Sequence, residues 1–194
     1  LCECISENFA EVIVAETFYR CCWLDYMYTG KKWVEFRSNK LVVLSGDEKI
    51  RRVLTDKFVP CFVKLQVKNN TEQLRLSESG DKDRDKSRKD LQKTNEMIGK
   101  MVYKLLSTRY RNSIIKTACE YFFNETIISM LNKNPKLMGL SNCIIELTST
   151  EAFVRPGKPE DYITKRAGVS YRPEYNYNHK DVRDLLVYFR QVFP

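Results

Sequence analysis

Residues 155–171 read RPGKPEDYITKRAGVSY, and the fold class turns on what this stretch can be. Pro156 and Pro159 lack the N–H a helix needs, and Gly157 is a poor helix former, so a regular helix is ruled out. Yet Tyr162, Ile163, Val169 and Tyr171 are too apolar for an idle linker. The segment reads as neither helix nor tether, and its purpose depends on what surrounds it.

On its N-terminal side the chain is mostly helical in pattern. Phe9, Val12, Ile13 and Tyr19 fall at helical spacing, with Asn8 and Glu11 placed as a capping box. Aromatic residues at 26, 28, 33 and 36 around a Thr-Gly-Lys-Lys turn predict an antiparallel hairpin or small meander. Ser45 and Glu48 mark a second helix start, with Ile50, Val53, Leu54 and Phe58 on one face. Pro60 interrupts that pattern, and residues 61–67 fit either a strand or a resumed helix. Residues 77–90, SESGDKDRDKSRKD, hold no hydrophobic side chain. Burial there cannot offset the entropy of ordering, so a mobile loop is expected. One helical pattern then runs through Leu91, Ile98, Met101, Val102 and Leu105. A second runs through Ile114, Ala118, Tyr121, Phe122, Ile128 and Leu131 and ends at Asn134-Pro135. Beyond the quoted stretch, Val182, Leu185, Leu186 and Phe189 predict a last amphipathic helix. The fold class expected is mainly α (α+β).

Thirty-three basic residues against 25 acidic ones leave a formal charge of +8 over 194 residues, which suggests an anionic partner. No run approaches the roughly 18 apolar residues of a membrane span, and no signal peptide is visible. The seven cysteines (2, 4, 21, 22, 61, 119 and 143) are odd in number and form no CxxC pair, and His179 is the sole histidine. That is poor support for a zinc site, and it suits reduced thiols in an intracellular, reducing compartment. The Asn-x-Thr triplets at 69 and 124 are then chance matches to a glycosylation acceptor.

The same inventory argues against catalysis. Asp81, Asp83 and Asp85 could hold a metal, but as a calcium loop they fail at Lys86 and Gln92, and they lie among lysines and arginines. A solvated charge run is the better reading. No glycine-rich phosphate loop precedes Gly30-Lys31 or Gly157-Lys158. His179, just before the last helix, reads as a cap rather than a catalyst. No metal and no cofactor are expected in this chain.

What stands out is basic and aromatic. Lys31 and Lys32 tip the hairpin between Tyr28 and Trp33, Lys100 and Lys104 share a helical face, and Arg109 and Arg111 flank Tyr110. Lys165, Arg166 and Arg172 decorate the quoted stretch. These nine suit sequence-independent contact with nucleic-acid phosphates, with room for a stacked base.

Three phrases in order, MLNKNPKLMGLSNCIIEL, FVRPGKPEDYITKRAGVSY and YFRQVFP, resemble the segment before the superfamily 3 motor in primase-helicases of large nucleocytoplasmic DNA viruses (poxviruses, African swine fever virus and relatives). Asn134-Pro135, Asn142, Arg155, Gly157, Pro159–Thr164 and Tyr171 carry the likeness. Cys143 departs from it, since the family usually has glycine there, which leaves the turn geometry at 142–143 open.

The resemblance implies a non-catalytic collar or linker module. Residues 1–154 would form a helical domain, and 155–194 an extended strap and helix leading to an ATPase motor. Pro156 and Pro159 would stiffen the strap, and Tyr162, Ile163 and Tyr171 would dock it. It also favours the helical choice for residues 60–75. The parent would be an ATP-dependent DNA helicase with primase activity, using ATP and magnesium in its motor. Its ring, expected to be hexameric, would act on single-stranded or forked DNA at replication sites in the host cytoplasm. The chain opens on Leu1 rather than methionine, and is expected to be cut from that longer protein just before the motor. The competing reading is a free-standing basic nucleic-acid-binding protein.

Overall fold

The computed structural model describes residues 10–77 and 82–193, and side chains outside 82–85. Contacts group the chain into two units: Leu1–Glu35 with Val42–Ser129, and Phe36–Leu41 with Met130–Pro194. The break at 129/130 lies well before the expected boundary at 154/155. The three strands that precede the strap pair locally with one another and are held to it, so contacts group them with the strap.

In the first unit, α1 (Glu11–Cys22) buries Val14, Ala15, Phe18 and Cys22, one helical stripe. Ile13 and Tyr19 pack beside it half-buried, while Val12 is exposed, so the buried face is rotated from the one expected. Asn8 and Phe9 lie outside the described residues. β1 (Tyr26–Tyr28), β2 (Trp33–Arg37) and β3 (Lys40–Val43) form a three-stranded sheet, the meander of the two expected forms, with Tyr26 opposite Glu35 and Tyr28 opposite Trp33; its residues Phe36–Leu41 group with the second unit. The aromatic centre is Phe122, whose ring centroid lies 4.9 Å from Phe18, 5.1 Å from Tyr19 and 5.2 Å from Trp33. Tilted and edge-on pairs of this kind add to the burial itself.

α2 (Glu48–Val53) starts later than the Ser45 signal and passes through a π-helical turn, Leu54–Phe58, into α3 (Val59–Ser77). Ile50, Leu54, Phe58 and Phe62 are buried at four-residue spacing. Pro60 does not interrupt: it follows directly on the π-helical turn at Leu54–Phe58, the kind of local irregularity with which a helix accommodates a break in its hydrogen-bond ladder. The segment 60–75 is therefore helical.

α4 spans Lys82–Leu106 and includes much of the expected loop. Ser77 ends α3 and residues 82–90 are helical, while 78–81 lie outside the described residues. The argument from burial holds, since residues 86–90 are all exposed. It misses propagation: Ile98, Met101 and Leu105 anchor one end of the helix, and adding turns of lysine and arginine to a formed helix is cheap. The α3–α4 pair is stitched by amides, with Asn69 Nδ2 donating to Asn95 Oδ1 at 3.0 Å and Asn95 Nδ2 to Asn70 Oδ1 at 2.6 Å.

α5 (Thr108–Tyr121) buries Ile114, Ile115 and Ala118. The single helix expected to run on to Leu131 breaks here. Tyr28 N–H donates to Phe122 O and Asn124 N–H to Tyr28 O, at 2.8 and 2.9 Å, so the β1 backbone captures residues 122–124. A short α6 (Ile127–Met130) follows.

The second unit holds a three-stranded antiparallel sheet in sequence order, β4 (Leu137–Gly139), β5 (Ile144–Leu147) and β6 (Ala152–Arg155). Leu140 N–H donates to Cys143 O at 2.9 Å, and Cys143 is buried without a left-handed backbone, so this turn needs no glycine. Beyond it run the strap and α7 (Lys180–Val192). His179 Nδ1 accepts from Asp181 N–H at 3.3 Å and caps α7, as the sequence predicted.

Candidate nucleic-acid interface

The strap is where the family-like residues converge. The Arg155 guanidinium donates to both Asp161 oxygens, at 2.9 and 2.7 Å, and to Glu146 Oε2 at 2.6 Å. The hydrogen bonds that Arg155 donates to Asp161 and Glu146 raise its pKa above the ordinary value. Burial alone would raise the Asp161 carboxyl, but Arg155 and the Lys158 N–H outweigh it and hold it below its usual value. Lys158 N–H donates to Asp161 Oδ2 at 2.8 Å, closing a 3₁₀ turn at Pro159–Asp161 with Pro159 buried. Ser38 and Asn39 both take left-handed backbone angles in the β2–β3 turn, and Gly157 N–H donates to Asn39 Oδ1 at 2.8 Å. A Cβ at Gly157 would stand 2.8 Å from that of Asn39, so only glycine fits.

Tyr162, left-handed at φ 50°, turns the chain toward Asn132, itself left-handed at φ 55°. Asn132 Oδ1 accepts from the Thr164 N–H at 2.9 Å, and Asn132 Nδ2 donates to Thr164 Oγ1 at 2.6 Å. Ile163 is buried, and its carbonyl accepts from Leu41 N–H at 2.7 Å. Tyr171 is 38% exposed, so its ring is only partly covered. Its backbone is held instead, N–H to Asn142 Oδ1 at 2.8 Å and O from Asn142 Nδ2 at 3.0 Å. Sequence reading missed Asn39 and Asn132, since a lone asparagine carries no periodic signal.

The nine basic candidates divide sharply. Lys31 and Lys32 are exposed at the hairpin tip, but Trp33 is 2% exposed and Tyr28 half-buried, so their neighbouring rings are core and cannot stack on a base. Lys100 and Lys104 are exposed near the end of α4, with Lys104 Nζ 5.7 Å from the Tyr110 ring centroid. Arg109 is exposed, whereas Arg111 is half-buried and donates to Thr55 Oγ1 at 2.6 Å and Thr108 Oγ1 at 3.3 Å. Arg111 is therefore engaged within the fold, whereas Arg109 faces solvent. Arg166 donates to the Ser38 and Ser141 carbonyls at 3.1 and 3.3 Å, which ties it to the strap. Arg172 lies 6.0 Å from the Tyr175 ring, and Lys165 is exposed. One exposed aromatic beside these lysines went unnoticed in the sequence: Tyr103, 79% exposed, between Lys100 and Lys104.

A family model described as "D5 N terminal like" matches residues 22–186. This chain belongs to the D5 N-terminal-like family. The resemblance drawn from residues 134–171 is thereby borne out, and Asn142, Arg155, Gly157, Asp161 and Thr164 among them help to tie the strap. A curated relative, "Putative helicase 121R" of Invertebrate iridescent virus 3, is 27% identical over 97 residues, which is 50% of this chain and 10% of that protein.

For this member of the family, no group of three or more His, Cys, Asp or Glu among the described residues could hold a metal ion. Asp81 and the side chains of Asp83 and Asp85 fall outside that description. The described cysteines, 21, 22, 61, 119 and 143, are free. No described helix is long and apolar enough to cross a membrane.

Proposed function

We propose that this chain is a non-catalytic collar or linker module of a viral replicative primase-helicase, one that meets DNA through phosphates and self-associates around it. The observation that carries this reading is the split among its cations. Lys31, Lys32, Lys100, Arg109 and Lys165 are exposed, and none forms a side-chain hydrogen bond or ion pair with a described residue. They are left to neutralise an external anion without reading bases.

Self-association would use α7, which has no fully buried residue, half-buries Val182 and Leu186, and exposes Leu185, Phe189 and Val192 with Phe193 at its end. A second copy of the module is the occupant proposed for that apolar face, in a ring expected to be hexameric. ATP and magnesium would act in the motor of the parent protein, an ATP-dependent helicase with primase activity working at cytoplasmic replication sites. The helicase relative, of which this chain covers a tenth, supports a module within a longer protein over a free-standing binder.

The test is titration of the chain with two unrelated single-stranded DNAs across a salt series. Equal affinities are expected, with log affinity falling by about 0.7 per phosphate contact against log salt. Lys100→Gln with Arg109→Gln should flatten that slope by roughly one to two units, while Arg111→Gln should destabilise the fold instead. Salt-independent or strongly sequence-dependent binding would overturn the reading.

A further inference from the structure

The last exposed turns of α4 hold a combination that packing does not explain. Gly99 sits inside a 25-residue helix, where glycine is less favourable than alanine. At Gly139 and Gly157 close backbone neighbours exclude a side chain, whereas Gly168, like Gly99, has open space. At Gly99 a Cβ would meet nothing within 4 Å, so no internal contact requires the residue. One turn further on stands Tyr103, 79% exposed. A helical side chain leans toward the turn N-terminal to its own Cα, which puts Tyr103 on the same face as Gly99, with no atom of it within 4 Å of a Cβ there. Lys100 and Lys104 flank it, both exposed. The nearest carboxylate along that face, Glu96, is engaged by Gln92 at 3.4 Å.

We propose that Gly99, Lys100, Tyr103 and Lys104 form a stacking site for one unpaired base of a single strand, with the two lysines on its flanking phosphates. The proposal rests on the DNA-binding reading above and narrows it to single strands, because a base inside a duplex offers no free face to a ring on a helix surface. Gly99 serves as the floor: any side chain there would fill the space between the ring and the helix backbone. A phenol is sequence-tolerant in this role, since every base has a π face. The flanking lysines favour this over a helix–helix contact, which would have to desolvate both.

The probes are a 12-nucleotide oligo-dT, the same strand with its bases removed, and a 12-base-pair duplex. Tyr103→Ala should weaken oligo-dT binding roughly 5- to 100-fold and leave abasic-strand and duplex binding unchanged. Tyr103→Phe should bind as the parent does. Gly99→Gln should move two readouts in opposite directions, raising the melting temperature by a few degrees while weakening oligo-dT binding. Parent protein that binds all three probes alike, with Tyr103→Ala unchanged on each, would overturn the stacking site and leave the phosphate reading standing. Parent protein that binds none of them overturns both. Gly99→Gln or Tyr103→Ala abolishing self-association in sedimentation, with DNA binding intact, would make this face a protein interface and sink the proposal.

Discussion

The strap at Arg155–Tyr171 has almost no regular secondary structure and is tied down along its length, whereas α7 at Lys180–Val192 is regular throughout and has no fully buried side chain. The two lie in the same unit, separated by eight residues. Regularity and docking are thus independent here. The strap is held by side chains that satisfy its own backbone: Asn39 at Gly157, Asp161 at Lys158, Asn132 at Thr164 and Asn142 at Tyr171. α7 satisfies its backbone internally and leaves its apolar face for something else. An irregular chain must find external partners for every buried polar group, so it has one arrangement. A helix carries its partners with it and can wait.

This contrast can be broken most directly at Arg155. Arg155→Met leaves two carboxylates, Asp161 and Glu146, facing a neutral side chain, and should lower stability by about 2–4 kcal/mol. Urea denaturation followed by circular dichroism checks this, and a midpoint equal to the parent's would mean that the strap is a tether after all. Ile163→Ala, which empties a buried site, should cost about 2–3 kcal/mol. Tyr171→Ala should stay within roughly 0.5 kcal/mol, because the docking there is made by Asn142 to the backbone. Equal effects of the two alanine variants in thermal melts would mean that the tyrosine ring is buried in solution.

Acid should separate the regions too. Asp161 is held below its unfolded value, near 3.9, so its contribution is complete above about pH 4 and is lost as pH falls through the folded value. Hydrogen exchange across a descending pH series should show the strap amides at 158–164 losing protection before the amides of β5. Simultaneous loss would remove Asp161 as the acid-sensitive tie. The smallest effect on folding is expected at α7. Leu185→Glu with Phe189→Glu should shift stability by less than about 0.5 kcal/mol, since neither side chain is buried. The same pair should abolish self-association at any concentration where the parent sediments as more than a monomer. A large drop in melting temperature would show that α7 docks within its own unit.

Parts of this architecture were legible because they are local. The stripes Ile98–Met101–Leu105 and Ile114–Ala118 repeat at helical period, the aromatic alternation from Tyr26 to Phe36 is a strand signature, and the Arg155–Thr164 phrase identified the family. Other parts were misread for definable reasons. Residues 82–90 lack any apolar side chain, but they are an extension of a helix nucleated elsewhere. The break at 122–126 is invisible in a continuous apolar pattern, since it exists only because β1 takes the backbone of Phe122 and Asn124. Arg109 and Arg111 look equivalent in sequence, yet one faces solvent and the other reaches Thr55, 56 residues away.

By itself the sequence determined the mainly helical class, an antiparallel hairpin or meander at Tyr26–Phe36, the strap's refusal to be a helix and the lack of a glycine-rich phosphate-loop motif. All of these follow from backbone chemistry and periodicity within a few residues. The tertiary structure decided which cations are engaged within the fold and which stay exposed, and which polar side chains hold the strap. Those choices depend on pairs such as Asn39 and Gly157, 118 residues apart, brought together only after the elements between them have formed. A hydrogen bond needs its partner within about 3 Å, and no local pattern encodes where a distant chain segment will lie.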